Sequence, residues 1–469
     1  MRAQRLLLAA VLALAVCACG AQTDVDRSLT SERLREAIDA GGLRAHLEAL
    51  QGIADAHGGI RAAGTPGYDA SSAYVLDVLR DAGYEAERQE FEFPSFEVTT
   101  QAVIVAGQVT ELAGGDDLRA MIYSGSGDLR APVVGLDYNV DAQPGPFRGA
   151  GCEPDDWDGF QSGAIALVQP GPCLRREQVL NGQAAGAAAI VVAYPSWLAG
   201  EARRPTLINP DGIDIPALAA THPAGRALAR VAGTGEEVSL SVETRIEARL
   251  TANVVAELVG AEDEAVVIGA HLDSVFEGPG VNDNGSGVAA ILELARASVG
   301  LQPRHTVGFA FWSAEELGVV GSTHYVEELG GEAETIGAYL NLDMLGSPNG
   351  VRYVYADEGA PSGSEEIGEL FTAYFEERSL RSELLDLGGG SDHGPFMRAG
   401  IPVGGVFSGA SDPLREGQAA ADGGQVGEPH DRCYHLECDT VENVDVDLAT
   451  ELTHSVAHVT ARLADRLPE

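Results

Sequence analysis

Three apolar runs in the second half of the chain, Ala265 to Gly269, Val307 to Trp312 and Tyr339 to Leu342, lead directly into residues of types that can ligate a metal. Their length, and the amphipathic stretch Gly287 to Ala297 between the first two, read as buried strands alternating with helices. That alternation gives an α/β fold: a mostly parallel, mixed sheet sandwiched by helices. In such a sheet ligands bind just beyond the carboxyl ends of the strands. Directly after these strands stand His271-Leu272-Asp273, Ser313-Ala314-Glu315-Glu316 and Asp343, so the sequence brings imidazole and carboxylates to one rim.

Each group also has a bland reading. His271 can be a buried histidine satisfied by Asp273, or a zinc ligand that Asp273 orients from behind. Asp283, in the turn Asn282-Asp283-Asn284-Gly285-Ser286-Gly287, can cap the next helix. It lies twelve residues after His271, with Pro279 and Gly280 folding the chain back, and a carboxylate there can bridge two cations. Ser313 and Glu316 have capping-box spacing, which accounts for one of two adjacent glutamates. The pair together is explained if one carboxylate binds metal while its neighbour acts as general base. His435 sits between Cys433 and Cys438, in a loop a disulfide would pin.

The chain has 469 residues, room for a large domain and a smaller one. Its 30 basic residues, all arginine, face 71 acidic ones, a formal net charge of −41. Such a surface repels nucleic acid and anionic head groups. Arg2 and Arg5, the apolar run Leu6 to Val16 and Cys17-Ala18-Cys19 form an export signal too short to span a bilayer. It resembles a bacterial lipoprotein signal covering residues 1–19, in which Cys19, preceded by a small alanine, fits the acylated position better than Cys17, preceded by valine; an ordinary cleaved signal, leaving a secreted protein, is the other reading. Export places the other four cysteines where bridges persist, and we expect Cys152–Cys173 and Cys433–Cys438.

Helical spacing predicts helices over Ser31 to Leu50 and Ser71 to Ala82, with a turn at Gly64-Thr65-Pro66-Gly67, then an extended segment from Glu85 to Val98. Between them and the ligand-bearing strands lie short β-like runs broken by Gly, Pro and Asp. Gly163 to Val168, Gly171-Pro172-Cys173, the helix Glu177 to Ala185 and the step Ala185-Gly186-Ala187 resemble the protease-associated domain, here a β-rich α+β insert over 116–247.

The ordered series His-x-Asp, Asp-Asn-x-Ser-Gly, Glu-Glu, Asn-Leu-Asp-Met and Cys-Tyr-His resembles the co-catalytic zinc aminopeptidases of peptidase clan MH, the group of the bacterial leucyl aminopeptidases and aminopeptidase Y. Arg61-Ala-Ala-Gly-Thr65-Pro-Gly also looks like that family's opening segment. The resemblance covers 28–115 and 248–469 and implies a phosphorylase/hydrolase-like zinc peptidase fold. It implies two zinc ions bridged by Asp283, with His271 and Asp343 on one and Glu316 and His435 on the other. Glu315 becomes the general base toward a water bridging the metals, Asp273 the partner behind His271, and Tyr434 a support for the oxyanion. Ser391-Asp392-His393 resembles a segment of the pocket wall, and the histidines outside these motifs, among them His46, His305, His430, His454 and His458, are assigned to the surface or to helix packing. The activity implied is removal of N-terminal residues from peptides by an exported monomer. Relatives of the same fold that are carboxypeptidases or dipeptidases are a second reading. A surface binding protein built around the insert is a third.

Overall fold

The computed structural model describes residues 28–105, 110–112, 117–139, 151–195 and 204–468; for 102–105 and 110–112 only backbone pairing is described. The signal segment, with Cys17 and Cys19, lies outside the described residues. Among the described residues no helix is long and apolar enough to cross a membrane.

Helices α1 (Ser31–Ala37), α2 (Ala40–Ala56) and α3 (Pro66–Asp81) open the chain. The single helix expected from Ser31 to Leu50 is two, because Asp39 accepts the Gly42 N–H at 2.9 Å and caps a new start. The turn expected at Gly64 to Gly67 is present in its first half, where Gly64 takes φ 74° and the Thr65 N–H donates to the Ala62 carbonyl at 3.1 Å; its second half opens α3, with Thr65 as the cap and Pro66 at the first helical position, where no N–H is needed.

Strand β1 (Glu87–Val105) leads into the insert: β2 (Thr110–Leu112), β3 (Leu118–Ala120), β4 (Gly127–Gly135), β5 (Ile165–Val168), α4 (Arg175–Ala184), β6 (Ala189–Ala193), β7 (Ala217–Ala220) and α5 (His222–Val231). Strand β8 (Glu237–Leu258) returns the chain to β9 (Glu262–His271), α6 (Gly285–Ser298), β10 (His305–Trp312), α7 (Val320–Leu329) and β11 (Ile336–Leu342). The chain ends with β12 (Tyr353–Tyr355), α8 (Ser364–Glu377), β13 (Glu383–Leu385), α9 (His393–Arg398), β14 (Val403–Phe407), α10 (Glu416–Asp422) and α11 (Val446–Leu463).

The strands run β13-β12-β14-β11-β9-β10-β8-β4-β5-β6-β7-β3, with β1 also beside β8. Strands β10, β9, β11 and β14 are parallel neighbours, while β12 and β8 flank them antiparallel. Helices α2, α6 and α11 cover one face; on the other, Trp312, Tyr339 and Phe396 form an aromatic layer under α7 and α9. This is the helix-sandwiched mixed sheet expected from the sequence. Both expected disulfides are present.

Strand β8 joins the catalytic half of the sheet to the insert. Its Glu237–Val242 segment pairs with β4 of the insert, and Val254–Leu258 pairs with β10. β1 lies antiparallel to it from Glu87 to Val105, so one two-stranded ribbon, with a register shift between Val98 and Thr100, runs through both halves, and positions 247 and 248 fall inside it. His46, His454 and His458 pack on helices as expected; His305 instead opens β10, and buried His430 sits in a loop against Tyr353. Those two depart from the expectation because strand starts and loops near the rim are buried by their neighbours.

Candidate metal centre

Three parallel strands deliver their ends to one point. His271 is the last residue of β9, Glu315 and Glu316 follow β10 and Asp343 follows β11. Asp283 enters from the turn before α6, and His435, at φ 61°, enters from the disulfide-pinned loop before α11. Gly287 lets α6 begin against the strand ends, since a Cβ there would collide with the Leu342 carbonyl.

The two carboxylate oxygens of Asp283 divide the site. Its Oδ1 lies 3.2 Å from His271 Nε2 and its Oδ2 lies 3.2 Å from His435 Nε2. Asp343 Oδ1 stands 3.5 Å from His271 Nε2, and Glu316 Oε2 stands 3.2 Å from His435 Nε2. Two triads of ligand atoms therefore share one aspartate, each triad within 4.8 Å. Two further observations fit a pair of cations. Glu316 Oε1 and Asp343 Oδ1 are buried with no hydrogen-bond partner, an arrangement that costs free energy unless an ion satisfies it. Mixed imidazole and carboxylate ligation suits zinc.

The electrostatics are those of a site built for positive charge. Burial opposes the charged imidazole of His271, but Asp283 and Asp343 outweigh it and hold its pKa well above the ordinary value. His435 is raised in the same way against burial, by Glu316 and Asp283. Burial raises Glu316 to about 7, and it carries the Glu315 carboxyl well above the ordinary value with further help from Asp392. Asp283, despite its burial, is pulled below the ordinary range by the two imidazoles.

Behind the ligands stands a layer of residues that hold them. The sequence points the Asp273 carboxylate at His271, and the structure does not. The Asp273 backbone carbonyl takes that place, 3.0 Å from His271 Nδ1, while the carboxylate lies 3.9 Å away. The carboxylate instead accepts the N–H groups of Glu315 (3.1 Å) and Glu316 (3.4 Å), because the β10 loop passes over it with unpaired donors. Ser391 Oγ donates to Asp343 Oδ2 at 2.8 Å and in turn accepts from Asn341. Asp392 beside it is buried, accepts from Ser322 at 2.6 Å, and has its pKa raised to about 7 by burial. His393 faces Asp357 at 3.1 Å, away from the ligands. Tyr434 stacks on His435, with ring centroids 3.8 Å apart, and lines the cavity over the site.

Two holding residues carry no signal of their own in the sequence. Arg61 is fully buried and donates to the carbonyls of Leu272, Pro279 (2.9 Å) and Gly280 (2.6 Å), stitching the loop from His271 to Asp283. Asp439 accepts the N–H groups of Asn282 (2.9 Å) and Asp283 (3.0 Å) and fixes the shared ligand from below. The segment containing Arg61 stands out only as a whole, and Asp439 comes directly after Cys438 with nothing to mark it.

The insert forms one wall of the cleft above this floor. A cavity of about 600 Å³ is bounded by Glu315, Glu316, Tyr434 and His435 below and by Leu174, Tyr194, Thr206 and Ile208 of the insert opposite. The wall is anchored to the floor at two points. Glu277, in the loop between His271 and Asp283, is gripped by Arg204 at 2.9 Å and Arg119 at 3.1 Å, all three side chains largely buried. Gly318, at φ 121°, touches Ile208 so closely that a Cβ would overlap its carbonyl. Leu207 and insert core residues share one apolar cluster with Ala314 and Leu317, the flanks of Glu315 and Glu316.

Residues 253–460 match the family model described as Peptidase family M28, and residues 129–228 match that of the PA domain. Among curated proteins the chain is similar to an "Aminopeptidase" of Pseudomonas aeruginosa, 37% identical over 443 residues, covering 92% of this chain and 82% of that one. It is 37% identical over 429 residues to the "Probable lipoprotein aminopeptidase LpqL" of Mycobacterium tuberculosis, covering 88% and 82%. It is 32% identical over 456 residues to "Leucine aminopeptidase 2" of Trichophyton tonsurans, covering 94% and 87%. Among solved structures, the "Aminopeptidase from Aneurinibacillus sp. strain AM-1" shares the fold, with a TM-score of 0.71 at 23% identity over 94% of this chain and 97% of that one.

Proposed function

Because the chain belongs to peptidase family M28, we propose that it is an exported, monomeric aminopeptidase that works with two zinc ions. The observation that carries this reading is Asp283, whose two oxygens each face a different histidine at 3.2 Å. His271, Asp283 and Asp343 would hold one ion, and Asp283, Glu316 and His435 the other. When bound, such a pair acidifies a water and polarises the scissile carbonyl.

The chain's own groups do the rest. Glu315 lines the cavity beside the ligands without being needed as one, and Asp273 fixes its backbone. Its carboxylate accepts the proton of the attacking water and passes it to the leaving amine. Tyr434 donates to the oxygen that becomes anionic. The acidic floor attracts the free α-ammonium of a peptide. Names of relatives at 32–37% identity support aminopeptidase action over carboxypeptidase or dipeptidase action.

Export is supported by the two disulfides and by the name of the mycobacterial relative, and we assign the lipid anchor to Cys19. A net charge of −41 opposes self-association and supports a monomer. The deciding experiment pairs metal analysis with hydrolysis of aminoacyl-nitroanilides, free and N-blocked. Glu315→Gln should keep both zinc ions and lose about 10²- to 10⁴-fold in kcat. Hydrolysis of N-blocked peptides, or full activity in the variant, would refute the proposal.

A further inference from the structure

The opposite rim of the catalytic sheet, where β9 and β10 begin, gathers a third set of ligating side chains: Glu262, Glu264 and His305. None belongs to the centre described above. In the β9–β10 pairing, His305 faces Glu262 but Thr306 already faces Ala265, so Asp263 and Glu264 are extra residues in β9. Such irregularities re-aim side chains. Residues two apart share a face of a strand, and here both glutamates turn toward one imidazole.

The distances are informative. His305 Nδ1 lies 3.5 Å from Glu264 Oε2 and 3.8 Å from Glu262 Oε2, and all three ligand atoms fall within 4.8 Å of one another. A protonated imidazole between two carboxylates would close to charge-assisted hydrogen bonds of about 2.8 Å. Tetrahedral zinc, with bonds of about 2.0–2.2 Å, holds its ligand atoms roughly 3.4 Å apart. The spacing matches that of His271 and Asp343 in the other centre, 3.5 Å.

His305 is only 4% exposed, and its Nδ1 is sealed from water with no hydrogen-bond partner. An imidazole nitrogen in that state is available to an ion held by the two carboxylates. Glu262 is further prepared: Arg304 donates to its Oε1 at 2.9 Å and leaves Oε2 facing His305, the kind of outer contact that orients a ligand.

We propose that Glu262, Glu264 and His305 form a separate site for a divalent transition-metal ion such as zinc. The half-exposed glutamates leave coordination positions that water completes. Bound there, the ion ties the starts of β9 and β10 together. It also steadies the end of α11, because the His305 N–H donates to the Ala464 carbonyl at 2.9 Å. The role is structural, at the far end of the strands that carry the catalytic groups.

The test is equilibrium dialysis of the whole protein against rising zinc, with metal per chain measured for wild type and Glu262→Gln/Glu264→Gln. Both substitutions are at the surface and keep side-chain shape. The variant should bind one zinc fewer per chain, with aminopeptidase activity unchanged. Equal zinc in the two proteins across the titration would overturn the proposal. If the two-zinc reading of the catalytic centre were wrong, both proteins would shift together, and the difference between them would still report on this site.

Discussion

The two sheets of this molecule are built alike and do different things. In the catalytic half, parallel strands β9, β10 and β11 end in His271, in Ser313-Ala314-Glu315-Glu316 and in Asp343. In the insert, parallel strands β5, β6 and β7 end in Gln169-Pro170, Tyr194-Pro195 and Thr221-His222, where Thr221 caps α5 and, with Tyr194, lines the cleft. The same run of buried strands thus yields a ligating rim in one place and, among the described residues, no ligand cluster in the other. An open parallel sheet offers a rim, and the residues placed there decide whether it has chemistry. The wall works through the floor, by way of Glu277 and the packing of Leu207 on Ala314 and Leu317.

Damage to the floor and damage to the wall should therefore look different. The largest effect belongs to Asp283→Ala, which removes a ligand from both triads at once. Zinc content should fall by about two ions per chain and activity to background, while the insert keeps its fold in limited proteolysis. An active Asp283→Ala would mean that the rim is not the site. The tie between the halves comes next. Glu277→Ala removes the carboxylate that the largely buried Arg119 and Arg204 share, and stability in denaturant unfolding should fall. Because no ligand is touched, zinc should stay bound while kcat falls, a split that separates positioning from metal loss. Unchanged stability and kcat would show the wall to be independent of the floor.

The same contrast governs what is legible in the sequence. The ligating rim can be read because each apolar run stops at a titratable residue, and Cys433 and Cys438 mark the loop that carries His435. The fold class comes from alternating strands and helices. The holding layer cannot be read, because it consists of hydrogen bonds between distant stretches: Arg61 to the 272–280 carbonyls, Asp439 to Asn282 and Asp283, Ser391 to Asp343. No local pattern marks such residues. The β1–β8 ribbon is hidden for another reason. Residues 243–250 of β8 are half-buried or exposed and mostly polar, so the strand lacks the buried alternation that sequence reading depends on. Asp273 is visible from its spacing, but its partner is not, since spacing cannot distinguish a side-chain oxygen from a backbone one.

The smallest effect is also the most diagnostic, because among the described residues the wall's strand ends gather no cluster of imidazoles and carboxylates to produce it. In the metal-free centre His271 and His435 keep their protons to higher pH than free imidazoles do, held by Asp283, Asp343 and Glu316 against the pull of burial. Zinc binds only neutral imidazole, so loading must expel those protons. Below the raised pKa values, affinity should therefore fall as pH falls, by about tenfold per pH unit for each proton displaced. Above them the dependence should disappear. Glu316, raised to about 7, adds to the release near neutrality. Calorimetric titration of zinc into the metal-free protein at pH 7, in buffers of different ionisation enthalpy, should find net proton release as the catalytic pair fills. With Glu262→Gln/Glu264→Gln as the titrated protein, any contribution from His305 is removed. Release of no protons would mean that the two imidazoles do not ligate, and the distinction between a reactive floor and an inert wall would lose its basis.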